Sequence, residues 1–130
     1  MNKMVMVIDD SLTVRKIVEV SLRREGIDCV SYASGVDAIR SMTKQRNLVP
    51  DVVILDIGLP QIDGYRVARY IKMKHRYRNT VIIVLSGHCS VLDRIKGRLS
   101  GAKEYLIKPF TTQEMMALVR AYLQVGSISA

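Results

Sequence analysis

Four short apolar stretches of this chain each end at a charged or hydroxyl-bearing residue, and this pattern limits the possible folds more than any other feature. The stretches are rich in Val and Ile, which is typical of strands buried in a parallel sheet. Because ligands bind at the carboxyl ends of such strands, we expect the polar residues that follow them to share one edge of the sheet. The stretches are 4–8, 52–55, 81–85 and 105–107, and they are followed by Asp9 and Asp10, Asp56, Ser86 and Lys108, respectively.

The apolar stretches alternate with segments of helical periodicity. Ser11 is a suitable N-cap for a helix with apolar side chains from Leu12 to Leu22, and Gly26 is placed to end it. A second strand is expected at about 28–33. Four further helices are predicted at about 35–46, 65–76, 91–100 and 112–123, the last capped by Thr111 or Thr112. Five β-α units of this kind predict a doubly wound α/β sandwich. We expect 1–130 to form a single domain, with its core at about 4–123 and a frayed tail at 124–130.

Composition narrows the class of protein. A length of 130 residues is that of one domain. No apolar stretch approaches the ~20 residues of a membrane-spanning helix, and the apolar start at 4–8 is too short for a secretory signal. Cys29 and Cys89 lack the spacing of metal ligands, so we expect free thiols in a reducing compartment. Together these features predict a cytoplasmic protein without a membrane span.

Three carboxylates at one edge of the sheet need a cation. Two carboxylates about 4 Å apart repel each other by roughly 4 kcal/mol at an effective dielectric constant near 20. Asp9, Asp10 and Asp56 therefore predict a bound divalent cation, and Mg²⁺ prefers one or two carboxylates together with waters and phosphate oxygens. With the ammonium of Lys108 and the hydroxyl of Ser86 nearby, the site suits transfer of a phosphoryl group onto a central carboxylate.

With these residues the chain closely resembles the receiver domain of two-component response regulators. The resemblance covers 4–123 in order and spacing. It implies a flavodoxin-like fold whose five parallel strands have the order 2-1-3-4-5. The matching segments are Val7-Ile8-Asp9-Asp10-Ser11, Asp56 followed by Leu59-Pro60-Gln61-Ile62-Asp63-Gly64, then Ser86-Gly87, Tyr105 and Lys108-Pro109-Phe110.

The resemblance also implies roles for individual residues. Asp56 would be the phosphoacceptor, and a sensor histidine kinase would be the phosphodonor. Mg²⁺ would be bound by Asp10, Asp56 and the carbonyl of Gly58, with Asp9 acting largely through water. Lys108 would contact the phosphoryl group, and its bond to the following proline would be cis.

In the activated state, the resemblance implies that Ser86 bonds the phosphoryl group and that Tyr105 turns inward as a rotameric switch. The surface formed by the fourth helix, fifth strand and fifth helix would then change shape for a downstream protein effector. Gly58 and His88, two positions after Asp56 and Ser86, would flank the path of the hydrolytic water and tune the phosphoryl lifetime. The protein would be a signalling switch rather than an enzyme, limited to its own phosphorylation and dephosphorylation.

Other classes fit the sequence less well. An aspartyl-phosphate phosphatase of the haloacid-dehalogenase type needs a second Asp two positions after its nucleophile, whereas Gly58 follows Asp56 at that distance and Ser11 follows Asp9. A dinucleotide- or flavin-binding module would need phosphate-binding amides where acids stand, and no G-x-G-x-x-G follows the first strand. A degenerate receiver locked in one state is disfavoured because each catalytic position holds the expected residue type.

The chain is strongly basic, with 20 Lys and Arg against 12 Asp and Glu and a net charge of +8. The bases cluster on the first helix, on or after the third helix, and on the fourth. Solvated helix faces, nonspecific attraction to nucleic acid and an acidic protein partner are all compatible with this charge, and no intrinsic DNA-binding module is recognisable. The segments 93–101 and 105–110 resemble stand-alone receivers of type IV pilus (twitching-motility) chemosensory systems.

Overall fold

A sheet of five parallel strands lies at the centre of the computed structural model, which describes residues 3–59, 62–87 and 91–128. The strand order is β2-β1-β3-β4-β5, with every neighbouring pair parallel, so the predicted flavodoxin-like topology is confirmed. The strands are β1 Met4–Ile8, β2 Asp28–Tyr32, β3 Val52–Asp56, β4 Val81–Ser86 and β5 Glu104–Ile107.

Helices follow the strands in alternation and pack on both faces of the sheet. They are α1 Leu12–Arg24, α2 Gly35–Lys44, α3 Gly64–Met73, α4 Val91–Leu99 and α5 Thr112–Ile128, with a short 3-10 helix at His75–Tyr77 after α3. No helix in the described part of the chain is long and apolar enough to cross a membrane.

Two helix ends differ from the sequence prediction. The α3 helix ends at Met73 rather than near residue 76, because the chain tightens there into the 3-10 turn. The α5 helix continues to Ile128, beyond the predicted end near residue 123. Gly126 lies inside this helix, and a glycine in a helix costs about 1 kcal/mol relative to alanine without necessarily ending it.

The side chains of β1 divide between two core layers, as period-two alternation requires. Met6 and Ile8 pack with buried residues of α2 and α3. Val5 and Val7 pack on the opposite face with buried residues of α1 and α5. Since both faces of the sheet are covered, the strands can be continuous apolar runs, and the polar residues at their ends are left for the carboxyl edge.

Side-chain caps fix the helices that begin near this edge. The Ser11 hydroxyl accepts a hydrogen bond from the backbone N–H of Val14 at 3.3 Å, as predicted for the start of α1. Thr111 and Glu114 each accept a hydrogen bond from the backbone N–H of the other at 3.0 Å, which is a capping box at the start of α5. Of the two predicted caps for this helix, Thr111 is therefore the one used.

Part of the basic cluster after α3 serves the fold. The Lys72 ammonium donates to three backbone carbonyls between residues 77 and 80, at 2.7–3.1 Å. Partial burial, with a contribution from the charge of Lys103, lowers the pKa of Lys72. Arg76 donates to the Met42 carbonyl in α2 at 2.8 Å. Lys72 and Arg76 therefore stabilise the local backbone and are not simply solvated charges.

Candidate functional site

Three acidic side chains meet at the carboxyl edge of the sheet, as the sequence predicts. Asp9 and Asp10 follow β1, and Asp56 ends β3, the neighbouring strand. One carboxylate oxygen of each residue lies within 4.8 Å of those of the other two. Asp9 and Asp56 are buried, whereas Asp10 is exposed. The cluster therefore has two fixed carboxylates inside and one at the solvent boundary.

Lys108 connects two of these acids. Its Nζ lies 3.0 Å from Asp56 Oδ2 and 3.2 Å from Asp9 Oδ2. The backbone N–H of Lys108 donates to the Ser86 carbonyl at 2.7 Å, which fixes the residue against the end of β4. The following bond, Lys108–Pro109, is cis, as the resemblance implies. The ammonium is thus held over the acids by charge-assisted hydrogen bonds and by its own backbone.

Burial and charge shift two of the protonation equilibria in this cluster. Burial raises the pKa of Asp9, and the charge of Asp56 adds to the rise, while the N–H of Ser11 and the ammonium of Lys108 oppose it. Partial burial opposes the charged form of Lys108, but hydrogen bonds and charge from Asp56 and Asp9 outweigh it and raise the pKa of Lys108. Because burial and the charge of Asp56 disfavour the ionised form of Asp9, an additional cation in the cluster would stabilise it.

The Asp56 carboxylate has a fixed orientation. Its Oδ1 accepts a hydrogen bond from the Gly58 backbone N–H at 2.8 Å, and its Oδ2 faces Lys108. A Cβ at Gly58 would lie 3.4 Å from Asp56 Oδ1, an ordinary contact, so a side chain at this position would fit beside that oxygen. Gly64 packs directly against the backbone of Ile57, where a Cβ would lie 2.4 Å from the Ile57 Cα and would clash.

Asp9 is anchored from both its side chain and its backbone. Asp9 Oδ1 accepts from the backbone N–H of Ser11 at 2.8 Å. The Asp9 carbonyl accepts from Arg15 Nη1 at 2.7 Å. Sequence reasoning placed Arg15 only among the bases of the first helix and missed this contact, although a base one turn into the helix after the acids is a usable signal.

The two expected switch residues occupy the places that the strand register dictates. Ser86 is buried at the end of β4, directly after Leu85, which pairs with Asp56. Tyr105 lies on β5, half-buried, opposite Val84. Its hydroxyl is hydrogen-bonded to that of Tyr65, in the first turn of α3. Sequence reasoning did not identify Tyr65. His88, the second expected residue of the water path, lies outside the described residues, as do Pro60 and Gln61 of the matching motif.

Comparison with known proteins places this architecture. A family model for the response regulator receiver domain matches residues 5–120. Protein PilG of Pseudomonas aeruginosa is 34% identical over 119 residues, which covers 92% of this chain and 86% of PilG. The DNA-binding dual master transcriptional regulator RpaA of Synechocystis sp. is 33% identical over 120 residues, but those residues span just 48% of RpaA. The solved structure of the chemotaxis protein CheY4 of Vibrio cholerae has a TM-score of 0.85 at 26% identity, covering 94% of this chain and 99% of CheY4.

A doubly wound sheet with an acidic cluster and a lysine at its carboxyl edge defines a class of phosphorylation-activated signalling switches. This chain belongs to the response regulator receiver domain family. That membership decides against the phosphatase and the dinucleotide-binding module as descriptions of the whole chain.

Proposed function

We propose that this receiver domain accepts a phosphoryl group on Asp56 from a sensor histidine kinase, in a Mg²⁺-dependent reaction that its own residues promote. The observation that carries the proposal is the position of Lys108, whose ammonium is within 3.2 Å of both Asp9 and Asp56. A fixed cation beside the acceptor carboxylate neutralises charge that a phosphoryl group brings into the site.

The acidic cluster fits Mg²⁺ by its chemistry. Its donors are hard carboxylate oxygens, three of them within 4.8 Å of one another, and one acid lies at the solvent boundary where the ion can keep waters. We assign Asp10, Asp56 and the Gly58 carbonyl as the direct ligands, with Asp9 acting largely through water. When bound, the ion supplies positive charge that stabilises the transferring phosphoryl oxygens.

In the reaction, an Asp56 carboxylate oxygen attacks phosphorus, and the phosphorus–nitrogen bond of the kinase phosphohistidine breaks. The leaving nitrogen takes the bonding electron pair: a phosphohistidine ring that is protonated on its other nitrogen leaves as neutral imidazole, and an unprotonated ring gains one proton from solvent to become neutral. The hydrogen bond from the Gly58 N–H holds the Asp56 carboxylate in position, and Lys108 contacts the developing charge. The product is an acyl phosphate, which water can hydrolyse to return the domain to its initial state. The domain therefore acts as a stoichiometric acceptor and a switch, and it turns over no separate substrate.

Ser86 and Tyr105 are the proposed switch pair. They lie on adjacent strands: Ser86 ends β4, directly beside the acceptor strand, and Tyr105 lies on β5 opposite Val84, with its ring against Gly97 of α4. A phosphoryl group on Asp56 would draw the Ser86 hydroxyl toward it and change the space available to Tyr105. Such a ligand shifts the equilibrium by its differential affinity for the two arrangements.

The surface that would read the switch, α4-β5-α5, has a chemistry that suits an acidic effector. Ile95, Leu99 and Ile107 are exposed apolar side chains there. Ile95 also lines a groove of about 390 Å³ between α4 and β5, together with the bases Arg98 and Lys103 and the acid Glu104. Apolar anchors surrounded by bases fit an amphipathic segment that carries Asp or Glu on its rim.

A second surface is suited to the kinase because it adjoins the acceptor site. Leu12 and Ile17 of α1 are exposed. An apolar cavity of about 440 Å³ lies between α1 and the segment that carries Lys108, Pro109 and Phe110. A helix of the kinase that docks here would bring its phosphohistidine to the carboxyl edge.

The similarity to PilG and to the chemotaxis protein CheY4 supports a role in a chemosensory pathway, with type IV pilus signalling as our specific proposal. The domain would work in the cytoplasm and act through a protein effector rather than through a DNA-binding module of its own.

The test combines acetyl phosphate as donor with amide hydrogen exchange as readout. Wild-type protein should gain phosphate with Mg²⁺ but not with EDTA, and exchange should then change on the α4-β5-α5 surface. Ser86→Ala should still accept phosphate but show a much smaller exchange change. Wild-type protein that takes no phosphate would contradict the proposed function, and an undiminished exchange change in Ser86→Ala would remove Ser86 from the switch.

A further inference from the structure

Two tyrosine hydroxyls meet beneath the α4 helix. Tyr65, in the first turn of α3, is hydrogen-bonded through its hydroxyl to the hydroxyl of Tyr105 on β5. The Tyr65 hydroxyl also donates to the Asp93 carbonyl in α4 at 3.1 Å. One side chain therefore joins three elements, α3, α4 and β5, at the proposed switch residue.

The count of protons gives this arrangement a direction. A tyrosine hydroxyl carries one hydrogen and can accept through its lone pairs. A backbone carbonyl can only accept, so the single hydroxyl hydrogen of Tyr65 is donated to the Asp93 carbonyl. Tyr105 must then be the donor to Tyr65. Burial and the Tyr105 hydroxyl raise the pKa of Tyr65, which keeps this acceptor a neutral hydroxyl at physiological pH.

The α4 helix has a glycine where the Tyr105 ring packs against it. Gly97 lies within α4, and a Cβ at this position would be 2.9 Å from Tyr105 Cε2 and 3.8 Å from Tyr65 Cε1. The glycine thus admits the ring in the observed position, where any larger residue would push against it. We call this position, bounded by Gly97 and the Tyr65 hydroxyl, the α3-α4 seat.

Tyr65 is also tied to the loop that leaves Asp56. The backbone N–H of Tyr65 donates to Asp63 Oδ1 at 2.7 Å, and the N–H of Gly64 donates to the Ile57 carbonyl at 3.3 Å. A Cβ at Gly64 would lie 2.6 Å from the Asp56 carbonyl oxygen, so the start of α3 rests on the acceptor residue itself. Asp56 and Ile57 therefore adjoin Gly64, the residue directly before Tyr65, so a movement of the Asp56 backbone would be passed to Tyr65 through Gly64.

We propose that Tyr65 is a positioning residue for Tyr105: its hydroxyl holds Tyr105 in the α3-α4 seat and couples it to the loop after Asp56. This inference rests on the proposed function, because it supplies a route from the acceptor to the switch side chain through α3, alongside the route through Ser86. The seat depends on the Tyr65 hydroxyl oxygen, whereas the Tyr65–Asp93 bond does not depend on Tyr105.

The test uses tyrosine labelled with ¹³C at Cζ, whose chemical shift reports the hydrogen bonding of each hydroxyl. In unphosphorylated Tyr65→Phe, with no acetyl phosphate present, the Tyr105 signal should move. The variant removes one neutral hydrogen bond from the seat, so the population of Tyr105 in the seat should fall by about fivefold relative to its other side-chain positions. In Tyr105→Phe, the Tyr65 signal should move less, since its bond to Asp93 remains. With acetyl phosphate and Mg²⁺, the wild-type Tyr65 and Tyr105 signals should change together, and the Tyr105 response in Tyr65→Phe should shrink.

Tyr122→Phe is the matched control. Tyr122 of α5 donates to the Glu104 carboxylate on the same strand as Tyr105, so this variant also removes one hydroxyl from a β5 contact. It should leave the Tyr105 signal unchanged. Gly97→Ala is the second route to the same result, because its methyl group should displace the Tyr105 ring while the Tyr65–Asp93 bond persists.

The donor-free comparison separates this inference from the proposed function. A Tyr105 signal that is the same in Tyr65→Phe and wild-type protein would overturn the positioning role, whether or not Asp56 takes phosphate. A wild-type protein that takes phosphate, with a Tyr105 response that is equally large in Tyr65→Phe, would overturn the coupling to Asp56. A wild-type protein that takes no phosphate would overturn the proposed function, while a Tyr105 change in unphosphorylated Tyr65→Phe would still establish the seat.

Discussion

Lys108 Nζ lies 3.0 Å from Asp56 Oδ2, although the two residues come from strands that are separated in the sheet by β4. The same ammonium lies 3.2 Å from Asp9, so it spans the acidic cluster. Because the Lys108 backbone is itself bonded to Ser86, the position of this charge is set by the end of β4. Lys108 therefore links Asp56, the proposed acceptor, to the backbone of Ser86, the proposed switch residue, through direct contacts.

Replacing Lys108 by alanine should lower the rate of phosphorylation strongly and change the stability of the fold less. The ammonium contacts the acceptor carboxylate, and loss of one fixed stabilising group at a charge-developing site lowers rates by at least about tenfold. Stopped-flow or quenched phosphorylation with acetyl phosphate and saturating Mg²⁺ measures the effect. Lys103→Ala, which removes an exposed base just before β5, is the control and should keep the wild-type rate. Equal rates in the two variants would show that Lys108 does not assist transfer.

Without Mg²⁺, Asp9→Asn should stabilise the domain near neutral pH. The folded-state pKa of Asp9 is raised above its ordinary value of 3.8, so the folded protein holds its proton to higher pH than the unfolded chain does. Stability from this group therefore falls as pH rises from 3.8 through the folded pKa, and the full cost is present above it. The asparagine avoids this cost, so Asp9→Asn should unfold at a higher urea concentration than the wild-type protein at pH 7.

The gain of Asp9→Asn should become smaller at pH 4, where the aspartate of the wild-type folded state is protonated to a greater extent. Urea unfolding at the two pH values, in EDTA, measures the difference. Asp28→Asn is the control, because Asp28 is exposed. Asp51→Asn is unsuitable, since Asp51 accepts a hydrogen bond from the Met4 N–H at 2.9 Å. A destabilised Asp9→Asn at pH 7 would mean that the Lys108 contact outweighs burial.

Mg²⁺ should stabilise the wild-type protein against heat. At a concentration ten times the dissociation constant, a ligand of the folded state adds about 1.4 kcal/mol, which corresponds to roughly 5 °C for a domain of this size. Differential scanning fluorimetry with and without the ion is sufficient. The shift should be lost in Asp10→Asn and retained in Asp37→Asn, which changes an acid on α2 that is paired with Arg40. Equal shifts in both variants would place the ion elsewhere.

A bulky residue at position 58 should lengthen the phosphoryl lifetime. The Cβ of a new side chain would lie 3.4 Å from Asp56 Oδ1, so the residue fits without a clash and its outer atoms would obstruct the approach of water to the phosphoryl group. Gly58→Met and Gly58→Arg should both slow loss of phosphate after the donor is removed. An unchanged or shorter lifetime, with Mg²⁺ binding intact, would show that Gly58 does not set the rate. His88 stays a predicted second residue of this path.

The fold and the acidic cluster were predictable because their signals are local. Each central strand is a continuous apolar run, and the residue that follows the run is the one that reaches the carboxyl edge. The strands therefore suffice to bring together Asp9, Asp56 and Lys108, independently of how the helices pack. The end of α5 was not predictable in the same way, since Gly126 weakens a helix by little and neighbouring residues decide whether it continues.

The contacts of Tyr65 and Lys72 could not be predicted from the sequence for another reason. Tyr65 bonds Tyr105, 40 positions later in the chain, and periodicity gives no information on which side chains meet at that range. Lys72 looked like a solvated base because a charge on a helix usually is one, yet it caps three carbonyls of the turn that follows. Such pairings depend on how α3 lies against its neighbours.

The location of the phosphate is the most direct measurement of the central claim. Wild-type protein and Asp56→Asn are incubated with acetyl phosphate and Mg²⁺, and peptide mass spectrometry with hydroxylamine treatment identifies the modified residue. We predict one hydroxylamine-sensitive phosphate per wild-type chain, on Asp56, and none on Asp56→Asn. A phosphate of equal yield on the Asp56→Asn protein, or on Asp9 or Asp10 in the wild type, would contradict the assignment of Asp56 as the acceptor.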